Sequence, residues 1–280
     1  MDKIRQDIWD SVEKIPAFSH SVQQIQKLSS DINCDSAQLV KVIEYDPVLV
    51  LKILKMVNSS YFGLAKKITS VNHAVLYLGL NTIKNLALSI AILGVMPRKN
   101  AAGFNMDAFL MHSLATATVS RMLAKKSGIP EKELFDYFLS GLLHDFGKIV
   151  LARYLPGEYK ETLRISREET IPLFEVERQI FGVNHAVIGS LLMEKWQILG
   201  SINEALKNHH NAADDNFQMR DFIITADQIS KELKIGYSGS NVIECIPQKI
   251  LAQFGGDINQ IIVSLGDIRT EVEKATLFAK

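Results

Sequence analysis

A chain of 280 residues that is 47% hydrophobic carries enough apolar side chain for one large domain or two modest ones. Lysine plus arginine equal aspartate plus glutamate at 31 each, which makes a poor candidate for non-specific nucleic-acid binding, a task that needs clustered positive charge. The two cysteines, Cys34 and Cys245, form no paired motif, which excludes a disulfide framework or a cysteine-rich zinc site and fits a reducing cytoplasm.

The N-terminus, Met-Asp-Lys-Ile-Arg-Gln-Asp, lacks the apolar core of a signal peptide. Helical spacing then dominates the chain, and the fold class expected is all-α. Pro47 after Asp46 reads as a first-turn proline. Asn58 to Gly63 reads as a helix end and tight turn. Ser70 and Asn81 are placed to cap helices, and Gly79 to stop one. The uncharged run from Asn85 to Pro97 is too short to span a bilayer, and its part from Leu86 to Met96 reads first as core. Pro97 to Gly103 reads as a short linker. Residues 1–100 are expected to form an N-terminal helical part, and residues 101–280 a helical bundle with a helical tail. A linker this short predicts that the two parts pack together.

After the linker, Leu110, Leu114 and Ala117 place His112 on a helix. Pro130 reads as a second first-turn proline. An apolar helix over 134–143 ends at His144-Asp145, just before Gly147. Asn184 is placed to cap a helix that begins at His185. Lys207 to Gln218 is the most polar stretch of this part and carries His209-His210. Phe222 to Ala226 is an apolar helical run ending in Asp227. Ile258, Ile261, Ile262, Leu265, Ile268 and Val272 follow one buried helical face. About twelve to fifteen helices are expected in all.

Seven residues stand out as one candidate metal site: His112, His144, Asp145, His185, His209, His210 and Asp227. The chain has seven histidines, and five fall in this ordered series. Imidazole and carboxylate bind divalent ions through nitrogen and oxygen. An ionised aspartate at the end of an apolar helix is costly to bury without a cation or another strong partner. Adjacent helical residues point about 100° apart, but a helix end beside glycine can swing His144 and Asp145 toward one ion. His20 and His73 read as ordinary surface or core histidines.

The order histidine, His-Asp doublet, distant aspartate resembles the HD superfamily of metal-dependent phosphohydrolases. The residues are His112, His144-Asp145 in Gly-Leu-Leu-His-Asp-Phe-Gly-Lys, and Asp227. His185, His209 and His210 resemble the second-metal ligands of the HD-GYP cyclic-dinucleotide phosphodiesterases. That resemblance implies that Asp145 bridges two ions. The Gly-Tyr-Pro loop expected after the histidine doublet is replaced here by Asn-Ala-Ala-Asp-Asp-Asn-Phe, which argues against cyclic di-GMP hydrolysis. Asp46-Pro47, then Val57-Asn-Ser-Ser-Tyr-Phe-Gly63, then Ile68, Ala74 and Leu78-Gly79 resemble the HDOD family. His185-Ala-Val-Ile-Gly189, Trp196 and Asn208-His-His210 agree, so the resemblance covers about residues 10–235.

The resemblance implies an N-terminal helical subdomain packed on an HD-type bundle. It also implies one or two divalent transition-metal ions, with iron or manganese favoured and zinc, nickel or cobalt accepted by the same ligands. HDOD proteins are mostly bacterial regulatory modules, so a signalling protein partner or a small signalling ligand is expected, and neither nucleic acid nor membrane. The alternative is a metal-dependent phosphohydrolase acting on a nucleotide or cyclic dinucleotide. Asp145 would then act in catalysis. Lys148 either contacts a phosphate or is a solvated lysine after a glycine turn. No P-loop, Gly-x-Gly-x-x-Gly or Gly-x-Ser-x-Gly motif is present.

Overall fold

The computed structural model describes residues 2–29, 36–211 and 218–279. Cys34 and the segment 212–217, where the Gly-Tyr-Pro loop is missing, lie outside the described residues. Every regular element among the described residues is helical. The N-terminal part carries α1 (Asp2–Lys14), α2 (His20–Ser29), α3 (Ser36–Glu44), α4 (Pro47–Val57), α5 (Val71–Leu78) and α6 (Leu80–Val95). There follow α7 (Met106–Lys126), α8 (Leu134–Leu143), α9 (Gly147–Tyr154), α10 (Pro156–Glu169), α11 (Leu173–Phe181), α12 (His185–Lys195) and α13 (Ser201–Lys207). The chain closes with α14 (Met219–Glu232), α15 (Gln248–Gln253), α16 (Ile258–Leu265) and α17 (Ile268–Ala275). Two 3₁₀ turns, Glu131–Glu133 and Thr276–Ala279, complete the described elements.

These helices outnumber the twelve to fifteen expected because several predicted runs are broken. The run from Ile258 to Val272 splits into α16 and α17 at Gly266, whose φ of 80° no helix accommodates. Pro130 precedes a 3₁₀ turn rather than an α-helix. Asp46 caps α4 as its sequence predicts, its Oδ1 accepting from Leu49 N–H at 3.0 Å. Ser70 and Asn184 cap α5 and α12 in the same way. Asn81 does not cap. Gly79, at φ 84°, turns the chain through 119° between α5 and α6 and itself takes the cap position, so α6 starts two residues earlier than a cap at Asn81 predicts. The Asn81 amide donates instead to Asp136 Oδ2 on α8 at 3.0 Å, and the Asn85 amide also reaches Asp136.

The 21-residue helix α7 is the axis of the molecule. Residues 112–120 are buried on every side, so this helix has no solvent face there. Helices α8, α14 and α17 pack on it. Its small side chains, including Ser113, Ala117 and Ser120, admit close neighbours. At Gly141 of α8 an added Cβ would lie 2.7 Å from Ala117 Cα and 2.8 Å from Thr116 O. That contact sets α7 against α8 one turn before His144.

One apolar core runs from Ile8 to Phe278 and joins side chains from both sides of the 97–103 linker. The ring of Trp196, just after α12, stacks on Phe18 at 4.7 Å, and its Nε1–H donates to Pro16 O at 3.2 Å. A second apolar cluster lies under α15–α17 against α7 and α14. Of the run Leu86 to Met96 expected as core, Leu86 to Ile90 and Ile92 are buried, whereas Gly94 is exposed and Ala91, Leu93, Val95 and Met96 are half-buried where α6 reaches the surface. Among the described residues no single helix is long and apolar enough to cross a membrane.

The Asn58 turn has a specific lock. Asn58 Nδ2 donates to Ile68 O, and Ile68 N–H donates back to Asn58 Oδ1, both at 2.7 Å. This pair closes the ten-residue excursion that carries Tyr61 and Phe62 into the core. Asn58→Ala should therefore cost about 1–2 kcal/mol, the value of one or two partly exposed hydrogen bonds. Urea titration checks it, and an unchanged midpoint would remove the lock from the account.

Candidate metal centre

The seven predicted residues converge from distant parts of the chain. His112 comes from mid-α7, His144 and Asp145 from the break between α8 and α9, and His185 from the first position of α12. His209 and His210 follow α13, and Asp227 lies on α14. The α8–α9 break is a tightened turn: Phe146 N–H bonds Leu143 O and Lys148 N–H bonds Asp145 O, both spanning three residues. It turns two adjacent side chains to one place, with His144 Nε2 3.3 Å from Asp145 Oδ2. His20 and His73 are exposed and lie outside the cluster.

Two groups form about the two oxygens of Asp145. Donor atoms of His112, His144 and Asp227 lie within 4.8 Å of one another. His112 Nε2 is 3.0 Å from Asp227 Oδ1 and 3.7 Å from Asp145 Oδ2. Donor atoms of His185, His209 and His210 form the other group within the same limit. His185 Nε2 is 3.0 Å and His209 Nε2 3.9 Å from Asp145 Oδ1. Asp145 thus faces one group with each oxygen.

Protons explain why this arrangement calls for a cation. His144 Nδ1 lies 2.8 Å from Gly141 O, and His209 Nδ1 lies 2.6 Å from Leu206 O. A carbonyl only accepts, so both nitrogens carry hydrogen. His185 Nδ1 faces Glu177 Oε2 at 2.6 Å, and His210 Nδ1 faces Glu244 Oε2 at 3.0 Å. These carboxylates hold the same tautomer. A neutral ring of each kind then presents an Nε2 lone pair inward. Yet His185 Nε2 lies 2.9 Å from His210 Nε2 and 3.3 Å from His209 Nε2. Lone pairs this close need a proton on one ring or a metal ion between them, and although burial disfavours charge on His185, Glu177 and Asp145 raise its pKa. His144 Nε2 and Asp227 Oδ1 are buried and make no well-aligned hydrogen bond, although His144 Nε2 faces Asp145 Oδ2 at 3.3 Å and Asp227 Oδ1 faces His112 Nε2 at 3.0 Å. Buried nitrogens and carboxylate oxygens facing one place, with four of the five rings braced from behind, are an arrangement that could hold a metal ion.

The charges agree. Burial pushes His209 and His210 well below the ordinary histidine value, with neighbouring cations adding to it. Burial also lowers His112, against the pull of Asp227. Neutral imidazole is the ligating form. Burial opposes ionisation of Asp145, but His144, Lys148 and His185 outweigh it and hold the carboxyl well below its usual range. Lys231 does the same for Asp227 from 2.7 Å, one helical turn away. Burial disfavours charge on His144, yet Asp145 and Asp227 push its pKa up to about 9. Positive charge is favoured beside His144, and a proton or a metal ion can supply it.

Lys148 is not a solvated lysine. It is 4% exposed, with Nζ 2.7 Å from Asp145 Oδ2 and 3.4 Å from Ser238 Oγ. Four further residues complete the centre. Glu177 orients His185 through both Nδ1–H and backbone N–H. Lys231 bridges Asp227 and Glu244. Glu244 holds His210, and the Phe174 ring stacks on His210 at 4.2 Å. Glu177 had a sequence signal, because it occupies the apolar face marked by Leu173, Val176 and Ile180. Lys231 had the i, i+4 spacing from Asp227. Glu244 lies in the irregular segment between α14 and α15 and had none.

Residues 15–212 match the HDOD domain. An uncharacterized protein of Treponema pallidum (strain Nichols) is 25% identical over 252 residues, 90% of this chain and 48% of its own. The chain spans about half the length of the curated relatives it matches. An HDOD domain protein of unknown function from Geobacter sulfurreducens superposes with a TM-score of 0.77 at 22% identity, covering 98% of this chain and 96% of its own. A "Putative phosphohydrolase" from Shewanella amazonensis SB2B superposes with a TM-score of 0.75 at 18% identity, covering 98% of each chain. Both likenesses are of fold. Asp227, Lys231 and Glu244 lie beyond the matched residues, although the fold returns them to the cluster.

Proposed function

The chain belongs to the HDOD domain family, and we propose that it is a signal-transduction module built around a buried divalent-metal centre, acting by binding a protein partner or a small signalling ligand. One ion would be held by His112, His144, Asp145 and Asp227, and a second by Asp145, His185, His209 and His210. The donor set accepts iron, manganese, zinc, nickel or cobalt, and the HD-type resemblance favours iron or manganese. A divalent ion there supplies fixed positive charge and Lewis acidity. The chain's own residues orient the ligands: Glu177, Glu244 and the carbonyls of Gly141 and Leu206 fix four of the five rings, and Lys148 and Lys231 hold the carboxylates.

The observation that carries the module reading is depth. His112, His144, Asp145 and His185 are each 1% exposed, and His209 and Asp227 3%. Lys148, the group placed to meet a phosphate, is already committed to Asp145. A centre this enclosed suits structure or sensing better than turnover of a nucleotide. The match to half of a longer relative supports the same reading.

The phosphohydrolase reading is favoured by one feature, the division of Asp145 between two ligand groups, since paired ions serve phosphoester hydrolysis. The test is a phosphoester screen on protein loaded with manganese or iron. No appreciable turnover is expected, and none of cyclic di-GMP. Robust metal-dependent turnover of any phosphoester, lost in Asp145→Ala, would make the chain an enzyme.

A further inference from the structure

Partner binding, if that reading holds, needs a surface, and the metal centre is too deep to be one. A groove of about 770 Å³ lies where the C-terminal ends of α4 and α6 meet the start of α7 and the last 3₁₀ turn. Its floor is apolar. Met56, Met106 and Phe278 are 3%, 6% and 7% exposed, with Met96 higher on the wall. Its rim is cationic. Lys52 and Lys55 of α4 and Arg98 and Lys99 beyond α6 are all exposed, against the single acid Asp107. None of the four makes an ion pair among the described residues, on a chain whose formal charge is zero. Val48 and Leu51, 63% and 70% exposed, sit one turn before Lys52 and Lys55 and extend the same side of α4 with apolar surface.

We propose that this groove binds an acidic amphipathic helix of a partner protein. Apolar side chains at helical spacing would enter the floor, and carboxylates on the flanks would meet the four cations. Methionine suits such a floor because its unbranched side chain adapts to different shapes. Nucleic acid would satisfy the rim and waste the apolar floor. A bilayer surface is flat and cannot reach a floor that lies below the charged rim.

The experiment uses the full chain and fluorescently labelled synthetic peptides, followed by anisotropy. The probe is a glutamate-rich helix of about four turns with leucine at every third and fourth position. A scrambled peptide of the same composition and a lysine-rich version of the same pattern are the controls. Saturable binding of the patterned acidic peptide is expected, weaker by about tenfold in Lys52→Glu/Lys55→Glu and in Arg98→Glu/Lys99→Glu. The lysine-rich peptide should gain affinity for those variants. All four residues are exposed, so circular dichroism should show the fold unchanged. Absence of binding, equal binding of the scrambled peptide, or indifference to both charge reversals would overturn the proposal. Preference for phosphatidylserine vesicles or a short DNA duplex would overturn it too. Failure here leaves the module reading to its own test, because phosphoester turnover is read at Asp145 and peptide binding at α4.

Discussion

Asp145→Ala should empty the metal centre and leave a protein whose melting temperature no longer responds to a chelator. Asp145 faces both ligand groups, 3.0 Å from His185 and 3.3 Å from His144. Removing it leaves each group without its shared anion, so metal content should fall toward zero rather than by half. Two losses then reach stability. A ligand present at a thousand times its dissociation constant stabilises the folded state by about 4 kcal/mol, and this term disappears. Lys148 also stays behind as a buried cation, with Ser238 Oγ 3.4 Å from its Nζ and no carboxylate paired to it among the described residues. Breaking a buried pair from one side costs about 3–5 kcal/mol. The two terms are not additive, because the ion and Lys148 share the same carboxylate. Elemental analysis of anaerobically purified protein, with melting curves with and without chelator, separates them. Equal metal content in variant and wild type would refute the bridging role.

Gly147→Ala should be as damaging from outside the ligand set. An added Cβ at Gly147 would fall 2.0 Å from His185 O and 2.8 Å from Gly189 N. The obstacle is backbone, so no side-chain rotation relieves it. Helix α9 must move from α12, and His185 moves away from Asp145 with it. Overpacking usually costs about 1–3 kcal/mol, and a clash with helix backbone lies at or above that range. The expected result is a lowered melting temperature with selective loss of the metal held by His185, His209 and His210. The group of His112, His144 and Asp227 should retain its ion, because the α7–α8 contact at Gly141 is untouched. A variant with wild-type stability and full metal content would show that α9 and α12 tolerate separation.

Much of this centre was legible because its chemistry is carried by rare residues in unusual settings. The His144-Asp145 doublet closing an apolar helix, and Asp227 ending an apolar run inside α14, posed a burial problem that only a cation or a strong partner could solve. Asp46-Pro47 marked the start of α4, Ser70 and Gly79 the two ends of α5, and Asn184 the start of α12, because each suits a helix end better than a helix interior. The misses have a common cause. Asn81 looked like a cap because its neighbours suit a helix start. The 119° turn at Gly79, which decides where α6 begins, depends on packing against α8. Glu244 reaches His210 across 34 residues, a contact that no local spacing encodes. Lys148 and Lys231 are common surface residues by type, and their burial became visible only once the helices had assembled around them.

The enclosure of the ligands has a consequence in time. Six of the seven side chains are at most 3% exposed and His210 is half-buried, so an ion held among α7, α8, α12 and α14 would meet solvent only on the His210 side or when the helices part. Opening of a packed core is slow beside the coordination chemistry of the ion. Relative affinity would then matter less than history. An ion that exchanged so slowly would be the one present when the chain folded, and two cells supplying different metals would then make the same polypeptide into two lasting holo-forms.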